Sequence, residues 1–272
     1  MRIGIFDSGL GGLTIYRTVR ERLPAYDYLY LGDSARTPYG NRSFEAILKF
    51  TTEGVEYLFS RDCHLILIAC NTASAKALRT IQQKLLPAKY PDKRVLGIIR
   101  PSAEALAQKS AGSNVALWAT EGTVRSESYP LELAKLAPNL HLAQLACPML
   151  VPLVESGELE GSGLDYFLNL YWRKTLALSS RVDALLLACT HYPLLYPAIR
   201  KIIPPETEIL IQGDIVAPSL EDYLRRHPEI ETRLSRNGKE DFLTTDQTEG
   251  FDRLASLFLG RTVTAMRAEI SP

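Results

Sequence analysis

The sequence predicts an α/β fold built on parallel sheets, and three observations carry that prediction. Short apolar runs alternate with longer amphipathic segments along the chain, the pattern left by repeated βαβ units. Runs such as LILIA at 65–69 and ALLLA at 184–188 are apolar at every position; strands without a polar face are covered by helices on both sides. Pro101 breaks the pattern in VLGIIRPS, and a second break falls near ILIQGD. The chain is therefore expected to leave a first domain near residue 99 and return to it near 211. The resulting division is 1–99 plus 211–272 against 100–210.

In chain order, the apolar runs place strands at 3–6, 28–31, 65–69, 95–99, 115–119, 140–146, 184–188 and 209–211. Between them, helical periodicity predicts helices at 13–23, 44–59, 73–86, 103–109, 126–136, 164–176, 194–202 and 219–225. In the first of these, Leu13, Tyr16, Val19 and Leu23 share one side. The end is looser. EIETRLSRNGK at 229–239 reads as a polar connection, DFLTT as one more strand, and 250–259 as a last helix.

At 272 residues the chain has room for one or two domains. Thirty-one basic residues balance 31 acidic ones, which argues against a general nucleic-acid or anionic-membrane surface. The start, MRIGIFDSG, has no signal-peptide apolar region. No stretch approaches the roughly 18 apolar residues that span a bilayer, so a cytoplasmic protein without membrane contact is expected. Four scattered cysteines make no disulfide scaffold, and no C-x-x-C, H-E-x-x-H or zinc spacing occurs. No metal is expected.

In parallel α/β sheets, ligands bind beyond the carboxyl ends of the strands. The early strands lead here into Asp7-Ser8-Gly9, then into Asp33-Ser34 with Pro38-Tyr39-Gly40. Later strands lead into Cys70-Asn71-Thr72, the stretch from Thr120 to Thr123, and Cys189-Thr190-His191. The collection is rich in hydroxyls, amides and thiols. DSGLGGLT is not a dinucleotide fingerprint: Gly9 and Gly11 supply its first half, but Thr14 stands where the third glycine belongs. It reads better as a tight turn that brings backbone N–H groups and the Ser8 hydroxyl to a carboxylate.

A free cysteine is usually a small buried hydrophobe, and Cys63 and Cys147 are read that way. Cys70 and Cys189 differ, because each ends a buried strand just ahead of residues suited to start a helix. A helix N-terminus favours a thiolate there. Two such thiols facing each other suit one particular task. Inverting a stereocentre by proton transfer needs a base on one face of the carbon and an acid on the other. The roles exchange in reverse, so the two groups should be chemically alike. His191 and Asp7 are candidates to assist them, and Glu155 in VPLVESG to orient the site. No motif for a pyridoxal phosphate site is present, and Lys76 reads as a helix-surface residue, so no cofactor is expected.

IGIFDSGLGGLT, GDSARTPYG, IACNTASA, CPMLVPLVESG and LLACTHYPLL together resemble the glutamate racemases, cofactor-independent enzymes of the aspartate/glutamate racemase superfamily. The resemblance covers nearly the whole chain and fades after Asp214. It implies two similar α/β domains, each a mainly parallel sheet flanked by helices, with the active site in the interdomain cleft. It implies that Cys70 serves the D-isomer and Cys189 the L-isomer, assisted by Asp7 and His191. Asp7, Ser8, Tyr39, Gly40, Asn71, Thr72, Thr190 and His191 match the positions that hold glutamate, with Thr120 and Thr123 as additions. It also implies a homodimer and a role in making D-glutamate for peptidoglycan. Ser34, Ala188 and Arg100 depart from the usual pattern, and Arg100 sits at the domain boundary. The rival readings are a racemase acting on aspartate, a thiol redox protein with a reversible Cys70–Cys189 disulfide, and a binding module without activity.

Overall fold

Among the described residues of the computed structural model, ten strands run parallel to their neighbours in two sheets. Six form one sheet in the order β10-β9-β2-β1-β3-β4: β1 (Arg2–Asp7), β2 (Tyr28–Gly32), β3 (Cys63–Ile68), β4 (Arg94–Gly97), β9 (Glu240–Thr244) and β10 (Ala265–Arg267). Four form the other in the order β6-β5-β7-β8: β5 (Asn114–Ala119), β6 (His141–Ala146), β7 (Ala184–Ala188) and β8 (Glu208–Ile211). The structure describes residues 1–109 and 112–270; the parts of the expected domains at 110–111 and 271–272 lie outside the described residues.

The central strands are buried along their length, β3 and β7 at every residue, as strands with two apolar faces require. Helices supply the cover. Leu13–Arg22 buries Leu13, Ile15, Tyr16 and Val19, and Ser162–Leu178 buries Leu168, Tyr171 and Trp172. In the second sheet Trp118 of β5 is fully buried and donates through Nε1 to Thr175 Oγ1 at 2.8 Å. This meets the need of a buried indole for a polar partner.

Several boundaries differ from expectation, each for a local reason. The strand expected at 95–99 stops at Gly97, because Ile99 already starts the helix Ile99–Ala107. The helix expected at 126–136 begins at Ser128, because Glu127 in the left-handed region separates it from a further helix, Glu121–Arg125. The helix expected at 219–225 runs over Gln212–Arg226 with Pro218 inside it. An interior proline costs a helix about 3 kcal/mol; packing on the helix Leu13–Arg22 through buried Val216, Ala217, Leu220 and Leu224 offsets it. The segment expected as 73–86 is likewise divided, Asn71–Lys76 and Leu78–Thr80 being followed by a wide π-type turn at Ile81–Leu85.

Candidate active site

Strand order fixes where a ligand can sit. In the first sheet the chain lays β2 on one side of β1 and then returns to lay β3 on the other; in the second, β6 and β7 flank β5 in the same way. The crevice at such a reversal is where open parallel sheets bind ligands. Ser8 and Cys70 lie just past the two strands at the first reversal, and Thr120 and Cys189 just past the two at the second. The repeated strand–Ala–Cys turn therefore marks equivalent places in the two sheets.

Both thiols line one cavity of about 190 Å³ between the strand ends of the two sheets. Ser8, Tyr39, Gly40, Asn71, Thr72, Thr120, Glu155, Thr190 and His191 line it too. Cys70 and Cys189 are 6% and 5% exposed, thiols walled in yet open to the cavity. Cys70 is the N-cap of the helix Asn71–Lys76, its Sγ accepting from the Ala73 N–H at 3.5 Å. Thr72, Thr120 and Thr123 join hydroxyls across the two halves, with Thr72 Oγ1 2.9 Å from Thr120 Oγ1 and Thr120 Oγ1 3.1 Å from Thr123 Oγ1. The Gly40 carbonyl rests on Gly122, where an added Cβ would lie 2.6 Å from the carbonyl oxygen.

Two expected residues stand outside the cavity wall. Thr123 is fully buried behind Thr72 and Thr120, and Asp7 is fully buried with Oδ2 accepting from the Gly9 N–H at 2.9 Å. The other carboxylate oxygen, Oδ1, is buried without a hydrogen-bond partner among the described residues, which leaves it open to a proton. Tyr39 and Asn71 do line the wall; the Tyr39 hydroxyl donates to Asp33, and one Asn71 Nδ2–H donates to Gln212 Oε1 at 2.6 Å. Cys147, read as a core thiol, also reaches the cavity wall. Arg100 lies elsewhere, ion-paired with Glu104 at 2.6 Å and Glu132 at 2.9 Å.

The two thiols have different neighbours. Burial pushes Cys70 up to about 12, with the nearby Asp7 charge adding to it and hydrogen bonds from Ser8 and the Ala73 N–H opposing. Burial also raises Asp7, against the pull of His191. On the other side His191 Nδ1 lies 3.9 Å from Cys189 Sγ, and its Nε2 3.1 Å from Glu155 Oε1. Burial alone would lower His191, but its bonds to Cys189 and Glu155 outweigh it and lift the pKa to about 10. Glu155 ends a short helix, Leu150–Glu155, and the edge-on ring of Phe258 flanks His191 at 6.1 Å between centroids.

Sequence reasoning names Asp33 only as a residue following a strand and gives it no role; it misses Gln212 and Phe258, which also lie behind the wall and leave no local signal. Among the described residues no three His, Cys, Asp or Glu side chains gather as a metal site, and no helix is long and apolar enough to cross a membrane.

Comparison with known proteins points the same way. Residues 3–215 match the model of the Asp/Glu/hydantoin racemase family. A glutamate racemase of Ruegeria pomeroyi is 38% identical, over 97% of this chain and 98% of its own. Among solved structures, a glutamate racemase isoform of Bacillus anthracis superposes with a TM-score of 0.89 at 30% identity, covering 99% of this chain and 97% of that one. The glutamate racemase of Francisella tularensis, in complex with D-glutamate, gives 0.86 at 29% identity, covering 100% and 97%.

Proposed function

Because the chain belongs to the Asp/Glu/hydantoin racemase family, we propose that it interconverts L- and D-glutamate by proton transfer at Cα between two thiols, without a cofactor. The observation that carries this reading is the placement of Cys70 and Cys189 at equivalent strand ends of two sheets, in the wall of one cavity. At about 190 Å³ that cavity is below the roughly 300–1,000 Å³ of pockets for drug-sized ligands, and suits a single small amino acid. Residues 1–99 plus 211–272 and residues 100–210 act as the two domains, and their approach excludes water from the reacting carbon.

Cys70 takes the proton from the D-isomer and Cys189 from the L-isomer; in each direction the other sulfur delivers a proton to the opposite face. Asp7 assists Cys70 through its unpartnered Oδ1, and His191, oriented by Glu155, exchanges a proton with Cys189. The Cα–H of an amino acid is a weak acid, and negative charge moves onto the adjacent carboxylate as the proton leaves. Hydroxyls of Ser8, Thr72, Thr120 and Thr190 are suited to hold that carboxylate and to strengthen their bonds as the charge grows. Asn71 borders the site with its carboxamide held by Gln212 through one Nδ2–H, which leaves the second N–H for the substrate, and Thr123 acts through Thr72 and Thr120.

The product serves peptidoglycan synthesis in the cytoplasm, and the enzyme works as a homodimer. Circular dichroism of L-glutamate and L-aspartate incubated with chelator-treated protein tests the activity. Decay of the glutamate signal alone is expected. Decay with aspartate alone would assign the other acid to the same chemistry, and no decay with either would contradict the reading.

A further inference from the structure

Behind the cavity, a buried polar cluster joins the two halves of the molecule without touching either reacting sulfur. Gln212 opens the helix Gln212–Arg226, on which the chain returns to the first sheet. Its carboxamide meets that of Asn71 head to tail: Asn71 Nδ2 donates to Gln212 Oε1 at 2.6 Å, and Gln212 Nε2 lies 3.2 Å from Asn71 Oδ1. The Tyr129 hydroxyl donates to Asn71 Oδ1 at 2.9 Å, while Gln212 Nε2 reaches Ser102 Oγ at 2.9 Å and the Tyr129 oxygen at 3.0 Å. None of the four residues is more than 3% exposed. Ser102 belongs to the helix on the outward crossing, Ile99–Ala107, and Tyr129 to the helix Ser128–Leu136 between β5 and β6.

We propose that Gln212 is a positioning residue for racemisation, acting on Cys70 through Asn71; the proposal rests on the two-thiol reading of the site. Asn71 is the first residue of a six-residue helix whose N-cap is Cys70 itself. So short a helix is not held by its own hydrogen bonds, and its start is oriented by whatever grips Asn71. The grip is buried, where an amide pair cannot exchange partners with water. Tyr129 and Ser102 tie the same amide pair to the second half and to the crossing. The place of Cys70 relative to that half, and so to Cys189, is thus set through one cluster. Asn71 is the chain neighbour of Cys70, whereas no member of the cluster adjoins Cys189 in the chain, so the larger part of its loss falls on the Cys70 transfer.

The test uses Gln212→Leu, which removes both ends of the amide, and Tyr129→Phe, which removes only one hydroxyl. For each, kcat/KM is measured with protiated and α-deuterated forms of both glutamate enantiomers. Because the enantiomers are equal in free energy, kcat/KM must fall equally in both directions, by about 10- to 100-fold if Cys70 moves by up to about 1 Å. The isotope effects must then part company. The effect on kcat/KM rises for the isomer whose α-hydrogen faces Cys70, since that transfer becomes more rate-limiting, and falls for the other. A role in folding alone would lower the yield of active enzyme and leave both isotope effects at their wild-type values; that result overturns the proposal. If Gln212→Leu does not fold, Tyr129→Phe decides by the same reading. A wild-type chain that racemises neither enantiomer overturns the activity reading and this proposal with it, whereas unchanged isotope effects in an active enzyme overturn the proposal alone.

Discussion

Replacing Gly11 by alanine should disable the site from a residue that carries no functional group. An ideal Cβ at Gly11 would stand 2.4 Å from Thr190 Oγ1 and 2.5 Å from His191 Nδ1. Ordinary van der Waals contact lies near 3.5 Å, so the two sides must part by about 1 Å (3.5 − 2.5). His191 is the neighbour that is not free to swing aside, because it is bonded to Glu155 at 3.1 Å. Overpacking of this kind costs about 1–3 kcal/mol of stability, and misplacing a reacting group by about 1 Å costs on the order of 100-fold in rate. Gly9→Ala is the control, because its Cβ would meet nothing closer than Thr37 Oγ1 at 3.5 Å. Neither glycine has a positive φ, so the comparison isolates space from backbone strain. Racemisation rates and urea unfolding of the two variants give the answer. Gly11→Ala with wild-type kcat/KM would refute the claim that the glycine turn exists to let the two halves meet at His191.

Cys70→Ala and Cys189→Ala should each lower racemisation by about 10²–10⁴-fold or more, the range for a lost acid/base group, with urea midpoints near wild type. Cys63→Ala and Cys147→Ala should retain most activity, and an inactive but folded Cys147→Ala would show that the wrong pair has been chosen. His191 gives a pH dependence of stability. Its folded pKa near 10 stands above its ordinary 6.5, so the stabilisation is full below pH 6.5 and is lost as pH rises through 10. Glu155→Gln removes one of the two bonds that raise it, so the upper edge of that window should move down in urea titrations across this range. Parallel stability curves for wild type and variant would contradict the assignment.

The strands that lead into the candidate site were legible because they are buried on both faces, which leaves unbroken apolar runs whose ends the sequence itself marks. β3 and β7 are the clearest cases, and the cysteines beyond them stand out at once. β10, three residues long at the sheet edge, is too short to leave a periodic signal. The helix expected at 219–225 starts just after Pro218, yet that proline lies inside a helix whose packing outweighs it, so the true beginning at Gln212 was hidden. That beginning matters to the site. The partner of Asn71 lies 141 residues away in sequence, and no local pattern announces a contact made only when two crossings come together. The same holds for Asp7 and Thr123. Their residue types pointed to the substrate, but burial places them one layer behind the wall. Phe258 shows that the last helix, beyond the stretch where the family motifs fade, still reaches the site through His191.

The central claim is that two monoprotic thiols act on opposite faces of one carbon. It is tested most directly by letting the enzyme convert L-glutamate in D2O to a few per cent of completion, separating the enantiomers, and weighing each. The expected result is D-glutamate carrying deuterium at Cα while the remaining L-glutamate keeps its protium. D-glutamate that retains protium, or L-glutamate labelled as fast as product forms, would mean that one group handles both faces and would contradict the two-thiol mechanism.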